Sequence, residues 1–242
     1  MHRRLWEVDA LRGVALIAMV LYHLSYDIAM FGHFDPDFFR SGIGLWTGRT
    51  IGSTFIFLAG VSLTLSYRRA SAAGEAGWRK YALRGLRIFC YGMLITLVTL
   101  LVIPDEPIIF GILHLIGASI LLSYPLLRFK LLNVALALAF VTAGVAVYGT
   151  PGDSVWLAPL GLPPFSMVDY WPLFPWFGIA LLGIAAGNAF YGERHPEAAK
   201  PAPPLAGGLA FLGRHSLFIY LVHQPLLIAA LILLGAGSLE AF

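Results

Sequence analysis

Residues 11–31 read LRGVALIAMVLYHLSYDIAMF, twenty-one positions that are apolar except for a few polar side chains. An α-helix of about 20 such residues spans the hydrocarbon core of a bilayer. A charged side chain at the centre of such a span costs on the order of 2.5–3.5 kcal/mol by insertion scales. Arg12, His23 and Asp27 nevertheless sit in this one. At 3.6 residues per turn, Asp9, Arg12, His23 and Asp27 fall along one stripe of the helix. A stripe of that kind faces a bundle interior rather than lipid, and it marks a functional site.

The rest of the chain has the same character. Of 242 residues 59% are hydrophobic and only 12% charged, against about 25% charged in a soluble domain. The mean hydropathy is +0.79. This is the composition of an all-α, polytopic integral membrane bundle, and 1–242 reads as a single domain without a soluble module. One cysteine, Cys90, excludes an intrachain disulfide and a multi-cysteine metal site. No metal and no nucleic-acid partner are expected.

Seven apolar segments are long enough to span, near 9–32, 42–67, 82–103, 108–127, 130–148, 171–191 and 209–234. Lys and Arg set their orientation. Basic residues cluster at 3–12, 68–87, 128–130 and 194–214, all on one side if seven spans alternate, whereas Arg40 alone falls opposite and Arg49 lies within the second span. The N-terminus is therefore expected in the cytoplasm of a cell whose cytoplasmic membrane holds the chain.

With that topology His23 and Asp27 lie past the midplane, and Arg49 descends to a similar level, where an Asp27–Arg49 ion pair is expected to let both charges be buried. His114 in the fourth span, and His223 with Gln224 ahead of Pro225 in the seventh, arrive at comparable heights, and His33 marks the outer mouth. These groups are candidates to line one outward cavity. An interhelical hydrogen bond accounts equally well for His114 and His223. Trp156, Tyr170, Trp171 and Trp176 can stack on a sugar or form an interfacial belt, and the belt is the commoner use. Gly178, Gly183 and Gly187 suit close helix packing. The basic groups Arg12, Arg68, Arg84 and Arg87 fit anionic lipid or a phosphate-rich ligand.

Five blocks then fall into a pattern: RRLWEVDALRGVALIAMVLYH (3–23), FIFLAGVSL (55–63), IIFGILHLIG (108–117), DYWPLFPWFGIALLGIAAG (169–187) and LGRHSLFIYLVHQPLL (212–227). Together they resemble the bacterial branch of the heparan-α-glucosaminide N-acetyltransferase family, over nearly the whole chain. The resemblance implies transfer of an acetyl group from cytoplasmic acetyl-CoA to an acceptor across the membrane, an amino sugar or other glycan, through N- or O-acylation. It places the family's catalytic histidine just beyond the first helix, nearest His33, while His23 matches the helix-embedded histidine of the broader transmembrane acyltransferases. The implied roles are His23, His33, Asp27 and Arg49 in catalysis, Arg12, Arg68, Arg84 and Arg87 on the CoA phosphates, and His114, His223, Gln224 and Trp171 lining the cavity. Self-association into a homo-oligomer is left open. A proton-coupled or small-molecule transporter also buries His, Asp and Arg, but usually through repeated halves, which are absent. A b-type cytochrome using His23, His114 and His223 is the remaining competitor.

Overall fold

The computed structural model describes residues 5–191 and 203–237. Arg3, Arg4, Arg194 and Lys200, on which part of the orientation argument rests, lie outside the described residues. All regular structure among the described residues is helical. The helices are α1 (Trp6–Met30), α2 (Gly42–Ala72), α3 (Trp78–Val102), α4 (Ile112–Ser123), α5 (Leu131–Val147), α6 (Leu173–Phe190), α7 (Pro204–Arg214) and α8 (Ser216–Leu233). Single-turn helices at Pro36–Phe39, Tyr124–Leu126 and Val155–Leu160 punctuate the connections.

Five of these helices, α1, α2, α3, α6 and α8, are long and apolar enough to cross a membrane. Of the seven expected spans, the fourth and fifth are shorter apolar helices and the seventh begins later than expected. The expected fourth span starts late, because Pro104, Pro107 and Gly111 keep the backbone extended or turned until Ile112. What remains is α4, a 12-residue helix. The 17 residues of α5 reach about 25 Å, short of a core of about 30 Å. The expected seventh span breaks at His215, which leaves helical geometry at φ −99° and ψ 10°. Its ring Nδ1 lies 2.9 Å from the Phe211 carbonyl oxygen, a local side-chain bond that competes with the helical ladder.

The chain forms two compact units. The first holds residues 5–55 and 203–237, that is α1, the start of α2, α7 and α8. Here α1 crosses α7 at two glycines: Gly13 lies against the Leu209 carbonyl and Gly213 against the Asp9 carbonyl, each too close for a Cβ. Small residues let helix backbones meet where there is no hydrophobic drive between helices. Leu11, Val14, Ile17 and Leu21 on the other face of α1 are all more than 40% exposed, as a lipid-facing side should be.

The second unit holds residues 56–191. Close approaches again fix its pairs. Gly85 meets Gly117 between α3 and α4, Gly178 meets the Ala137 carbonyl between α5 and α6, and Gly183 meets the Phe57 carbonyl between α2 and α6. Gly187 packs on Thr64. The three small residues read from the sequence of α6 thus sit at helix contacts. At one end of this unit Asn188 donates to the carbonyls of Leu127 (2.9 Å) and Phe129 (3.2 Å), and Asn133 donates to those of Leu126 and Phe129. Two amides thereby anchor the α4–α5 connection.

Candidate acyl-transfer site

The polar stripe of α1 lies against α7 and α8. At its first turn Asp9 accepts from Arg12 Nη1 at 3.1 Å, and the same nitrogen is 3.4 Å from the Gly213 carbonyl that ends α7. A guanidinium at a helix C-terminus is favourable both as a hydrogen-bond donor and through the helix dipole. These contacts engage Arg12 in helix packing.

Farther along, His23 and Asp27 stand one turn apart, and each meets a residue of α8. The His23 and His223 rings approach edge to face, with centroids 5.0 Å apart. Asp27, 1% exposed, accepts from Gln224 Nε2 at 2.6 Å. The expected Asp27–Arg49 ion pair does not form. Arg49 lies half-buried on α2 and acts electrostatically on the Tyr22 phenol, whose hydroxyl packs where a side chain at Gly48 would stand. A neutral amide serves Asp27 because α8 reaches it directly, whereas sequence alone cannot rank a donor 197 residues away. The available signal was that Gln224 adjoins His223, so one turn of α8 can face two residues one turn apart on α1.

The histidine of α8 is held in a defined state. Its Nδ1 sits 2.7 Å from the Tyr220 carbonyl oxygen, an acceptor only, so Nδ1 carries the proton and Nε2 keeps its lone pair. That Nε2 is buried without a hydrogen-bond partner, as are Gln224 Oε1 and Asp27 Oδ2. Three buried acceptor atoms of one α1–α8 contact thus have no hydrogen-bond partner. His33 lies beyond α1, exposed, with Nε2 2.8 Å from the Ala236 carbonyl oxygen. It belongs to the same unit and joins the chain ends beyond α1 and α8.

The other candidates belong to the second unit. His114, 1% exposed, has both ring nitrogens engaged: Nδ1 accepts from the Gly111 N–H at 3.2 Å, and Nε2 lies 3.4 Å from Thr96 Oγ1. Its ring stacks on Phe110 and meets Phe89 edge on. This is the start of α4 built in side chains, and it leaves no ring nitrogen for a metal, a haem iron or a base. Trp171 is buried, donates its indole N–H to Asp169 and packs on Trp176. Asp169, overlooked in the sequence, also accepts the Ile112 N–H at 3.0 Å and so caps α4. Trp156 is 85% exposed, as a belt residue would be. Arg68 is oriented by Asn188, whose Oδ1 takes Nε at 3.3 Å and Nη2 at 3.1 Å. Arg84 and Arg87 are exposed residues of α3.

Residues 4–225 match the heparan-alpha-glucosaminide N-acetyltransferase catalytic family. The chain belongs to that family. The match runs through both units and includes every residue named in this subsection except Ala236. No curated protein matches the chain, and no solved structure does. Family membership and five long apolar helices make it a membrane acetyltransferase in broad terms. Acetyl-CoA is the acyl donor that the family generally uses.

Proposed function

We propose that this chain moves an acetyl group from cytoplasmic acetyl-CoA to an amine on the far side of the membrane, with an amino sugar or related glycan as the acceptor. The N-terminus faces the cytoplasm in this reading, as the basic clusters favour. The observation that carries it is the α1–α8 contact with its three partnerless acceptors, His223 Nε2, Gln224 Oε1 and Asp27 Oδ2. An ammonium group brings three N–H donors, whereas a hydroxyl brings one, so the donor-poor contact favours an amine.

The chemistry needs a base with a lone pair in reach, and His223 supplies it. Nε2 takes one proton from the bound ammonium and frees the nitrogen lone pair. The new C–N bond forms at the thioester carbonyl, the C–S bond breaks, and the second proton that the nitrogen sheds passes to the departing sulfur. Sulfur leaves with a proton as the CoA thiol. His23, edge on to His223, is the second imidazole of the contact and the alternative base or acetyl carrier. Asp27 holds Gln224 in place and supplies the negative charge that attracts an ammonium group. Arg68, Arg84 and Arg87 are the groups assigned to CoA phosphates, for which a guanidinium fork is well shaped. Arg12 is assigned instead to holding α7.

The test is turnover of acetyl-CoA by the purified protein in nanodiscs, with glucosamine as the probe acceptor and release of CoA thiol as the readout. His223→Ala should lower kcat by about 10²–10⁴-fold, the usual range for general acid–base catalysis, while acetyl-CoA still binds. His23→Ala and His33→Ala, run alongside, show which imidazole reacts. A folded protein that binds no acetyl-CoA would sink the enzyme reading. Full turnover in all three variants would spare the reading and remove the site.

A further inference from the structure

Within the second unit, hydroxyls in the helices have a common habit. Ser62 and Thr99 each donate to the carbonyl one turn back, and in the other unit Ser25, Thr47, Thr50 and Thr54 do the same. This is how a Ser or Thr in a lipid-embedded helix satisfies its only donor. Ser119 and Ser123 depart from the habit. They sit one turn apart on α4, 5% and 0% exposed, and neither hydroxyl has a hydrogen-bond partner. Both line one cavity, otherwise walled by apolar or backbone surface from α2 (Ile56, Gly60) and α6 (Ala180, Ile184). The space suits about one water molecule.

We infer that this cavity is a binding site for a single structural water, held between Ser119 Oγ and Ser123 Oγ where α4 meets α2 and α6. The physical reason is the pair of hydroxyls. A buried hydroxyl without a partner is destabilising, and its own back-bond to the i−4 carbonyl is the cheap remedy. Two neighbours that both forgo it and face the same small cavity share a better partner. A water has two donors and two acceptor sites, enough for both hydroxyls with capacity left for a backbone carbonyl. A purely apolar cavity of this size would stay dry, so the hydroxyls are what make the site. The inference stands apart from acyl transfer, because Ser119 and Ser123 have no part in the α1–α8 contact.

Opposite signs separate the alternatives. If a water bridges the hydroxyls, Ser119→Ala and Ser123→Ala each strip it of a partner and strand the remaining hydroxyl, so each lowers Tm, by about 2–4 °C for a chain of this size. The double variant strands nothing and should melt no lower than the worse single. If the hydroxyls stand alone, each alanine removes an unsatisfied group and raises Tm, and the two gains add. Thermal unfolding of the full chain in nanodiscs reads this directly. A density map of the same protein at a resolution that shows ordered water should place one peak within hydrogen-bond distance of both Oγ atoms. Back-bonds from Ser119 to Leu115 and from Ser123 to Ser119 in that map, or an elongated density of an acyl chain, would overturn the assignment.

Discussion

Adding one methyl group at Gly213 tests how α7 is attached to α1. A Cβ built there lies 1.8 Å from the Asp9 carbonyl oxygen, 2.7 Å from its carbon and 3.0 Å from the Gly13 nitrogen. All three are backbone atoms, so no side chain can swing aside. For the methyl to reach ordinary van der Waals distance, α7 must retreat from α1 by roughly 1.5–2 Å. Overpacking of that kind costs about 1–3 kcal/mol. The retreat also stretches Arg12 Nη1···O Gly213, already 3.4 Å long, a hydrogen bond worth about 0.5–1.5 kcal/mol. The better helix propensity of alanine returns up to about 1 kcal/mol, which leaves Gly213→Ala destabilised by about 1–3 kcal/mol.

The same helix provides the control. A Cβ at Gly208 meets nothing within 4 Å, so Gly208→Ala collects the propensity gain without the clash. In nanodiscs, thermal unfolding should show Gly213→Ala melting roughly 4–10 °C below the parent and Gly208→Ala level with it or a few degrees above. Because α8 follows α7 across the break at His215, Gly213→Ala should also lose acetyl transfer as His223 and Gln224 shift against His23 and Asp27. If the two variants melted together, the Gly13–Gly213 crossing would not be what holds α7, and the reasoning from close approach would fail.

Other perturbations probe the remaining contacts. Gln224→Ala should destabilise by about 1–3 kcal/mol by stranding the Asp27 carboxylate, whereas the double change Asp27→Leu with Gln224→Leu should recover most of that stability and none of the turnover; denaturant titration beside CoA-thiol release checks both. Asp169→Ala removes the acceptor at Ile112 N–H and should cost about 1–2 kcal/mol as a lost cap, seen as faster amide exchange confined to the first turn of α4. Asn188→Ala releases Arg68 and should raise KM for acetyl-CoA with little change in kcat, while an equal fall in kcat would point to a wider loss of fold.

What the sequence reveals of this site follows from how far each interaction reaches. The α1 stripe was legible because Asp9, Arg12, His23 and Asp27 share one helix, where spacing alone decides which face they occupy. The glycines of α6 were legible for a related reason, since lipid leaves small residues few roles besides close packing. The partners were not. Asp27 takes Gln224 and not Arg49, because charge complementarity ranks candidates by type while the fold ranks them by reach. His114 looked like a site residue by the cost of burying it, yet that cost is met locally by Gly111 N–H and Thr96, and a hydrogen bond to one's own helix start leaves no trace in composition. The start of the seventh span was illegible for the same reason. Hydropathy sums over windows, so it runs through His215 without registering that one imidazole bonded to Phe211 can end a helix. An ionisable residue in a membrane run therefore marks a place where something must satisfy it. Only the backbone trace decides whether that partner is the helix itself, as for His114, or a residue brought in by another helix, as Gln224 is for Asp27.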